Sequence, residues 1–300
     1  MKVLLTGKNG QVGWELQRAL SSFATVIALD SDEMDLADPE AIRRTVRDIS
    51  PDIIINPAAH TAVDKAESEP DLAMAVNGIA PGILAEEAQR LGALLVHYST
   101  DYVFDGCKSG PYTETDVPNP QSVYGSTKLA GEDAIRASGC KHLILRTSWV
   151  YGVHGGNFVK TVLRLAKERS ELRIVADQFG APTWARDLAQ ATVAALNVWQ
   201  ARGRDASLNG LYHLSAAGST NWHHYAEEIV RLACTYDAAL ASKPLEIRAI
   251  ATHEYPVPAK RPANSVLAND KTGQTFGISL PEWEVSLAEC VRLLYEQPGQ

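Results

Sequence analysis

The stretch Lys2-Val-Leu-Leu-Thr-Gly7-Lys-Asn-Gly10-Gln-Val-Gly13 decides the fold of this chain. Residues 2–6 form a short apolar, β-prone run, the composition of a strand buried in a parallel sheet. Gly7 ends the run. From Gln11 onward Val12, Leu16, Ala19 and Leu20 recur with helical spacing, and polar Gln11, Glu15, Gln17 and Arg18 stand between them. The three glycines therefore occupy a strand-to-helix turn. In that setting Gly7 permits the tight turn, Gly10 lets a pyrophosphate approach the backbone, and Gly13 lets helix and strand pack closely. The first N–H groups of the helix and the positive end of its dipole would face the phosphates. The spacing G-x-x-G-x-x-G lacks the Gly-Lys-Ser/Thr ending of a P-loop, which argues against nucleoside triphosphate hydrolysis.

The pattern continues outward from the glycines. Thr25-Val-Ile-Ala-Leu-Asp30 reads as a second strand with an acid at its tip. A carboxylate about 20 residues past the glycines is placed to accept hydrogen bonds from the adenosine ribose and to repel a 2′-phosphate, so Asp30 favours NAD over NADP. Asp35 and Leu36 follow in the same loop and would flank the adenine. Asp38-Pro39-Glu40 carries the signals of a helix start: a capping aspartate, proline in the first turn, and an acid that suits the dipole. Asp52–Asn56 is a third strand. It leads into Pro57-Ala58-Ala59-His60, where Ala58 and Ala59 leave room for a cofactor. Residues 72–91 read as one long helix, kinked or broken at Gly78 and Pro81. Residues 93–100 are a fourth strand with Thr100 and Asp101 at its carboxyl end, residues 122–137 a helix, and residues 142–149 a fifth strand ending at Trp149. Strands alternating with helices predict an α/β fold, a doubly wound parallel sheet of the Rossmann type. Thr100, Asp101, Tyr124, Lys128 and Trp149 then gather at the carboxyl edge, where such sheets bind ligands.

Within the 122–137 helix stands Tyr124-Gly-Ser-Thr-Lys128. The tyrosine and lysine share a helix face, one turn apart. A lysine ammonium beside a phenol favours the phenolate, which predicts a Tyr124 pKa below its usual value of about 10. Such a phenol can give a proton to a carbonyl oxygen or take one from an alcohol. The spacing alone is common. A hydride donor seated at the glycines would give it meaning.

Past Trp149 the alternation weakens. Asn157 starts a helix, residues 177–183 read as a loop, residues 184–201 as a helix and 210–215 as a short strand. A further helix starts at Asn221, and a Pro-rich stretch runs from His253 to Pro262. This predicts a dinucleotide-binding domain over residues 1–150 and a smaller, mainly substrate-binding α/β region over 151–300. Segments near 184–215 are expected to return to the first domain. Lys260 and Arg261 lie in the Pro-rich stretch, and Arg261 is the better match for a diphosphate. His223 and His224 diverge by about 100° on a helix and do not readily share one ion. Trp14, Trp184, Trp222 and Trp283 read as core or interface aromatics.

The 300 residues suffice for one large domain or two small ones. A net charge of −8 with no basic block argues against a nucleic-acid partner. Cys107, Cys140, Cys234 and Cys290 form neither a C-x-x-C nor a zinc pattern and fit reduced cytoplasmic thiols. No signal peptide and no apolar run of membrane-spanning length is evident, so a cytoplasmic protein is expected. A homodimer is the default assembly for a soluble enzyme. Acid pairs such as Glu86-Glu87, or Glu282 with Glu284, would hold Mg²⁺ only if several oxygens converged, which the spacing does not show.

Taken together, Gly7-x-x-Gly10-x-x-Gly13, Asn56-x-Ala58-Ala59, Ser99-Thr100-x-x-Val103 and Tyr124-x-x-x-Lys128 resemble the extended short-chain dehydrogenase/reductases. Within that superfamily the chain is most similar to the dTDP-4-dehydrorhamnose reductase family. The segments that carry this likeness are Gly7–Leu16, Ala59–Glu67, His97–Phe104, Arg146–Tyr151, Asp177–Thr183 and Arg261–Ser265, which span nearly the whole chain. Pro57 departs from the alanine that relatives often carry. The resemblance implies that Thr100 hydrogen-bonds a C4 carbonyl, Tyr124 protonates it, and Lys128 holds the nicotinamide ribose and tunes Tyr124. Asp101 and Trp149 would contact the sugar. Gly10, Gln11, Val12, Asp30, Asp35, Leu36, Ala58, Ala59 and His60 would line the dinucleotide, either NADH or NADPH. The implied reaction is reduction of dTDP-4-dehydro-L-rhamnose to dTDP-L-rhamnose. Another sugar-nucleotide reductase or epimerase, or a non-catalytic dinucleotide-binding subunit, are the alternatives.

Overall fold

Apolar runs of four to seven residues, too short for buried helices, assemble the central sheet. In the computed structural model, which describes residues 1–296, five of them are β1 (Lys2–Leu5), β2 (Thr25–Ala28), β3 (Ile53–Asn56), β4 (Leu94–Thr100) and β5 (Lys141–Thr147). Residues 297–300, the end of the second expected region, lie outside the described residues. The strand Gly210–His213 completes a six-stranded sheet in the order Gly210–His213, β5, β4, β3, β1, β2. Every neighbouring pair is parallel. The strand order reverses between β1 and β3, the position at which open parallel sheets form a crevice beyond their carboxyl ends.

The pleat sorts the strand side chains onto two faces. Val3, Leu5, Ile53, Ile55, Leu94 and Val96 pack with Leu16 and Leu20 of the helix Gln11–Leu20 and with Leu188 and Leu196 of the helix Ala185–Ala201. Leu4, Ile54, Leu95 and Ile144 pack on the other face with Ile42, Val46, Ile83, Leu84 and Ile135. The Asp38 side chain accepts from the backbone N–H groups of Glu40 and Ala41, with Pro39 in the first turn, as the local sequence predicts. The expected break at Gly78 takes the form of a π-helical turn, Ala75–Ile79, between the helices Pro70–Met74 and Ala80–Leu91.

A second apolar cluster forms around Tyr151, Val159, Leu163, Tyr225, Ile229, Trp283 and Leu287. The helices Phe158–Glu168, Trp222–Ala233 and Trp283–Glu296 supply most of it, beside a parallel pair of strands, Glu171–Val175 with Glu246–Ile250. The segment 177–183, expected as a loop, carries two short strands. Phe179–Gly180 pairs antiparallel with Thr220–Asn221, and Thr183–Trp184 pairs with Val150–Tyr151. These two-residue bridges pin the segment beside Trp149, and two residues give no periodicity to read in a sequence. Among the described residues no helix is long and apolar enough to cross a membrane.

Candidate active site

The glycine turn is built as its spacing requires, with one change of role. Gly7 adopts φ +61°, a left-handed conformation that favours glycine. A Cβ on Gly13 would lie 2.0 Å from the Gly7 carbonyl oxygen. Gly13 therefore admits the turn's own backbone, rather than easing helix-against-strand packing as expected. The helix that follows has Gly10 at its N-cap, no side-chain cap and no acid in its first turn. Its leading N–H groups are left for an anion.

This turn forms one end of a cleft of about 850 Å³, within the range of small-molecule sites. Gly7, Gly10, Gln11, Val12 and Gly13 line that end, with Asp30, Asp35 and Leu36 beside them. The Asp30 carboxylate accepts the backbone N–H groups of Asn9 (2.9 Å) and Ser31 (2.8 Å), which fixes it at the tip of β2. Ala58 and Ala59 form the floor beyond β3. An uncapped helix start, a left-handed glycine and two alanine methyls fit a dinucleotide, its pyrophosphate at Gly10–Val12 and its adenosine toward Asp30. His60 stands apart from the lining. Its backbone exchanges hydrogen bonds with the Asn77 amide (2.8 and 3.1 Å), and its ring lies 3.4 Å from Glu69.

The other end of the cleft brings together Thr100, Asp101, Tyr124, Lys128 and Trp149. Ser122 caps the helix Val123–Ser138 through the Gly125 N–H (3.1 Å), and Tyr124 and Lys128 project from its first turns. Thr100 closes β4, and its hydroxyl donates to Asp101 Oδ1 at 3.0 Å. Asp101 Oδ2 is buried without a partner. Burial pushes the Asp101 carboxyl up to about 6, and the nearby Ser265 and Thr100 hydroxyls oppose the rise.

The electrostatics of Tyr124 differ from the expectation. Burial raises its phenol above the ordinary tyrosine value, and the Thr100 hydroxyl opposes that rise. Lys128 does not lower it, because its ammonium is committed elsewhere: Nζ donates to the Tyr98 carbonyl at 2.6 Å and lies 3.2 Å from His97 Nε2. Burial brings Lys128 itself down to about 8. One helical turn of separation placed the two residues on a common face, but the long lysine side chain runs to β4.

Trp149 has φ +46°, a strained conformation for a tryptophan. Its indole stacks on Trp222 with ring centroids 3.6 Å apart. Both rings line the cleft, so Trp222 is a cleft-wall residue and not simply a core aromatic. Tyr102, also unread in the sequence, lines the cleft with its ring edge-on to Tyr124 at 5.5 Å. Arg261 lies outside the lining. Its guanidinium donates to Asp64 Oδ2 at 2.6 Å and to the Tyr102 hydroxyl at 3.2 Å, tying the Pro-rich stretch to the site. The acid pair Glu86-Glu87 is taken up by Arg43 and Arg47. No group of three His, Cys, Asp or Glu suited to a metal occurs among the described residues.

Residues 1–296 match the protein family described as RmlD substrate binding domain. The chain is 50% identical to a dTDP-4-dehydrorhamnose reductase of Burkholderia thailandensis, over 99% of this chain and 100% of that protein. It is 48% identical to the enzyme of the same name from Escherichia coli K12, over 98% of each. Among solved structures it resembles a dTDP-4-dehydrorhamnose reductase from Clostridium acetobutylicum, with TM-score 0.89 and 42% identity over 98% of this chain and 99% of that one. It also resembles the Bacillus anthracis enzyme of that name in complex with NADP, with TM-score 0.85 and 37% identity over 96% of this chain and 98% of that one.

Proposed function

Because the chain belongs to the RmlD substrate binding domain family, we propose that it reduces the C4 ketone of dTDP-4-dehydro-L-rhamnose to give dTDP-L-rhamnose. It is an NAD(P)H-dependent oxidoreductase. The observation that carries the reading is the convergence of Thr100, Tyr124 and Lys128 in the wall of the cleft that begins at the glycine turn. When bound, the nicotinamide cofactor supplies the hydride. The residues do the rest. The Tyr124 phenol donates to the C4 oxygen, and the Thr100 hydroxyl turns its hydrogen from Asp101 Oδ1 to the same oxygen when the sugar is bound. Tyr124 keeps its proton at neutral pH as any phenol does, and burial holds that proton more firmly still. It releases that proton once the oxygen carries alkoxide charge, since an alkoxide is a stronger base than a phenolate. Lys128 holds the nicotinamide ribose through its ammonium. Asp101 and Trp149 orient the sugar, and Asp30 takes the adenosine ribose, which favours NADH over NADPH.

An NADH-oxidation assay over dTDP-, GDP- and UDP-linked 4-keto sugars tests the reading. Stoichiometric loss of NADH with the dTDP sugar supports it. Turnover without net NADH loss would mark an epimerase. Tyr124→Phe should still bind NADH while turnover falls about a hundredfold, the scale of a lost general acid. Unchanged turnover in that variant would sink the mechanism.

A further inference from the structure

Three adjacent strands carry polar residues in one row on one face of the sheet: Thr6 just after β1, Asn56 on β3 and His97 on β4. Asn56 and His97 are register partners. The Thr6 N–H donates to the Ile55 carbonyl at 3.1 Å, which sets Thr6 level with Asn56. The residues before them on this face, Leu4, Ile54 and Leu95, are apolar and fully buried. Asn56 and His97 are also fully buried. A polar row in such a place is costly unless each group is paired, and here each is. Thr6 Oγ1 lies 2.6 Å from Asn56 Oδ1, Asn56 Nδ2 lies 3.1 Å from His97 Nδ1, and His97 Nε2 lies 3.2 Å from Lys128 Nζ. At its far end the row meets the glycine turn, because Thr6 precedes Gly7 and its hydroxyl accepts the Ala58 N–H at 3.4 Å. The reduction described above makes no use of this chain of bonds.

We propose that His97 is the positioning residue for Lys128, and that its ring, held by Asn56 and Thr6, stabilises the protonated amine by accepting one of its hydrogens. Two bonding patterns satisfy the row. With Lys128 charged, Nε2 accepts from the ammonium, Nδ1–H donates to the Asn56 carbonyl oxygen, and the amide NH₂ donates to Thr6. With Lys128 neutral every bond reverses: Nε2–H donates to the amine, Asn56 NH₂ donates to Nδ1, and the Thr6 hydroxyl donates to the Asn56 oxygen. The two patterns differ by the one proton on Lys128. The second is the arrangement of amide atoms in the structure. Burial and the nearby Lys128 charge hold the His97 ring neutral, so it serves as a hydrogen-bond partner and not as a second cation. Of the charged or titratable groups that bear on Lys128, Glu132 stands on its own helix, and Tyr124 and Asp101 share the cleft wall with it. Glu132 in turn accepts from Arg146 of β5.

The test reads the alkaline limb of kcat for NADH oxidation, which this proposal assigns to loss of the Lys128 proton. It rests on the reductase reading above. His97→Leu removes the acceptor, and the limb should move to lower pH by about one unit, the size of one charge-assisted hydrogen bond. His97→Gln can accept from Lys128 and donate to Asn56, and should return the limb most of the way. A limb that stays in place in a folded, NADH-binding His97→Leu protein overturns the proposal, as does a loss of kcat that is uniform across pH. Where His97→Leu does not fold, histidine ¹⁵N NMR of the wild-type enzyme with NADH bound decides, with the signal assigned from His97→Gln. The ring should remain neutral from about pH 6 to about pH 10, and its proton should move from Nδ1 to Nε2 as Lys128 titrates. A ring that keeps one tautomer throughout overturns the proposal. The NMR arm requires no turnover, so a failure of the reductase reading would be seen separately.

Discussion

Gly13→Ala puts a methyl group into the most crowded point of the cofactor cradle. The added Cβ would stand 2.0 Å from the Gly7 carbonyl oxygen and 2.8 Å from its carbon. A relaxed carbon–oxygen contact is about 3.3 Å, so helix and turn must separate by roughly 1 Å or more. The obstructing atoms are backbone, and no side-chain rotation relieves them. The same carbonyl accepts the Gly10 N–H at 3.0 Å, a bond that the separation strains. Overpacking of this kind costs about 1–3 kcal/mol, and a lost backbone hydrogen bond about 1 kcal/mol more. If the turn absorbs that strain, the seat for the pyrophosphate is displaced and the NADH Kd rises by about 30- to 1000-fold, the equivalent of about 2–4 kcal/mol. Fluorescence titration of NADH measures the affinity, and a thermal melt shows how much of the cost falls on the fold instead. The reacting groups lie at the other end of the cleft, so kcat at saturating NADH should stay within about threefold. Unchanged NADH affinity together with an unchanged Tm would refute the reasoning, because the strain would then have nowhere to appear.

Two further substitutions probe the substrate end. Trp222→Leu removes the ring stacked on Trp149. Stacking of this kind is worth about 0.5–1.5 kcal/mol, so KM for the sugar nucleotide should rise by about 2- to 10-fold with kcat little changed; an unaltered KM would show that the pair does not shape the sugar pocket. Asp101→Asn removes a carboxyl whose folded pKa, about 6, lies above its ordinary value of 3.8. The folded protein therefore binds more protons than the unfolded chain between about pH 4 and pH 6. The buried charge is relieved at the acid end of that window and costs most at pH values above it. A pKa raised this far is equivalent to about 3 kcal/mol. Urea melts should show Asp101→Asn gaining about that much stability relative to wild type between pH 4 and pH 7, and a difference that does not vary with pH would count against the burial of this charge.

Much of the sheet was legible because its signals are local. Apolar runs, the Gly7 turn and the Asp38-Pro39 helix start each act within a few residues. Parallel strands joined by helices then leave little freedom in where their carboxyl ends fall. That is why Thr100, Tyr124 and Trp149, far apart in the chain, were expected in one place and line one cleft. Trp222 was not legible, because a tryptophan facing a core and one facing a cleft have the same helical spacing. Its role depends on Trp149 taking a left-handed backbone conformation that brings the two rings together. Arg261 illustrates the same limit. A guanidinium suited to a diphosphate is equally suited to Asp64, and only the fold brings Asp64 within 2.6 Å.

The pairing of Tyr124 with Lys128 shows most clearly where spacing stops and structure begins. Four residues on a helix put two side chains on one face, but the ionisation of each depends on what covers that face. Burial acts on both groups and in opposite directions, holding the proton on the phenol and loosening it from the amine. The reduction needs a protonated phenol, so the raised Tyr124 pKa is compatible with the chemistry without any help from Lys128. The charge on Lys128 is the quantity at risk, because an amine brought down to about 8 is close to losing its proton in the working range. A buried amine in that position needs acceptors. The Tyr98 carbonyl is one, and His97 is the other group within reach. A histidine in the middle of an apolar strand, which in the sequence reads only as an interruption, thus stands where the proton balance of the site is decided.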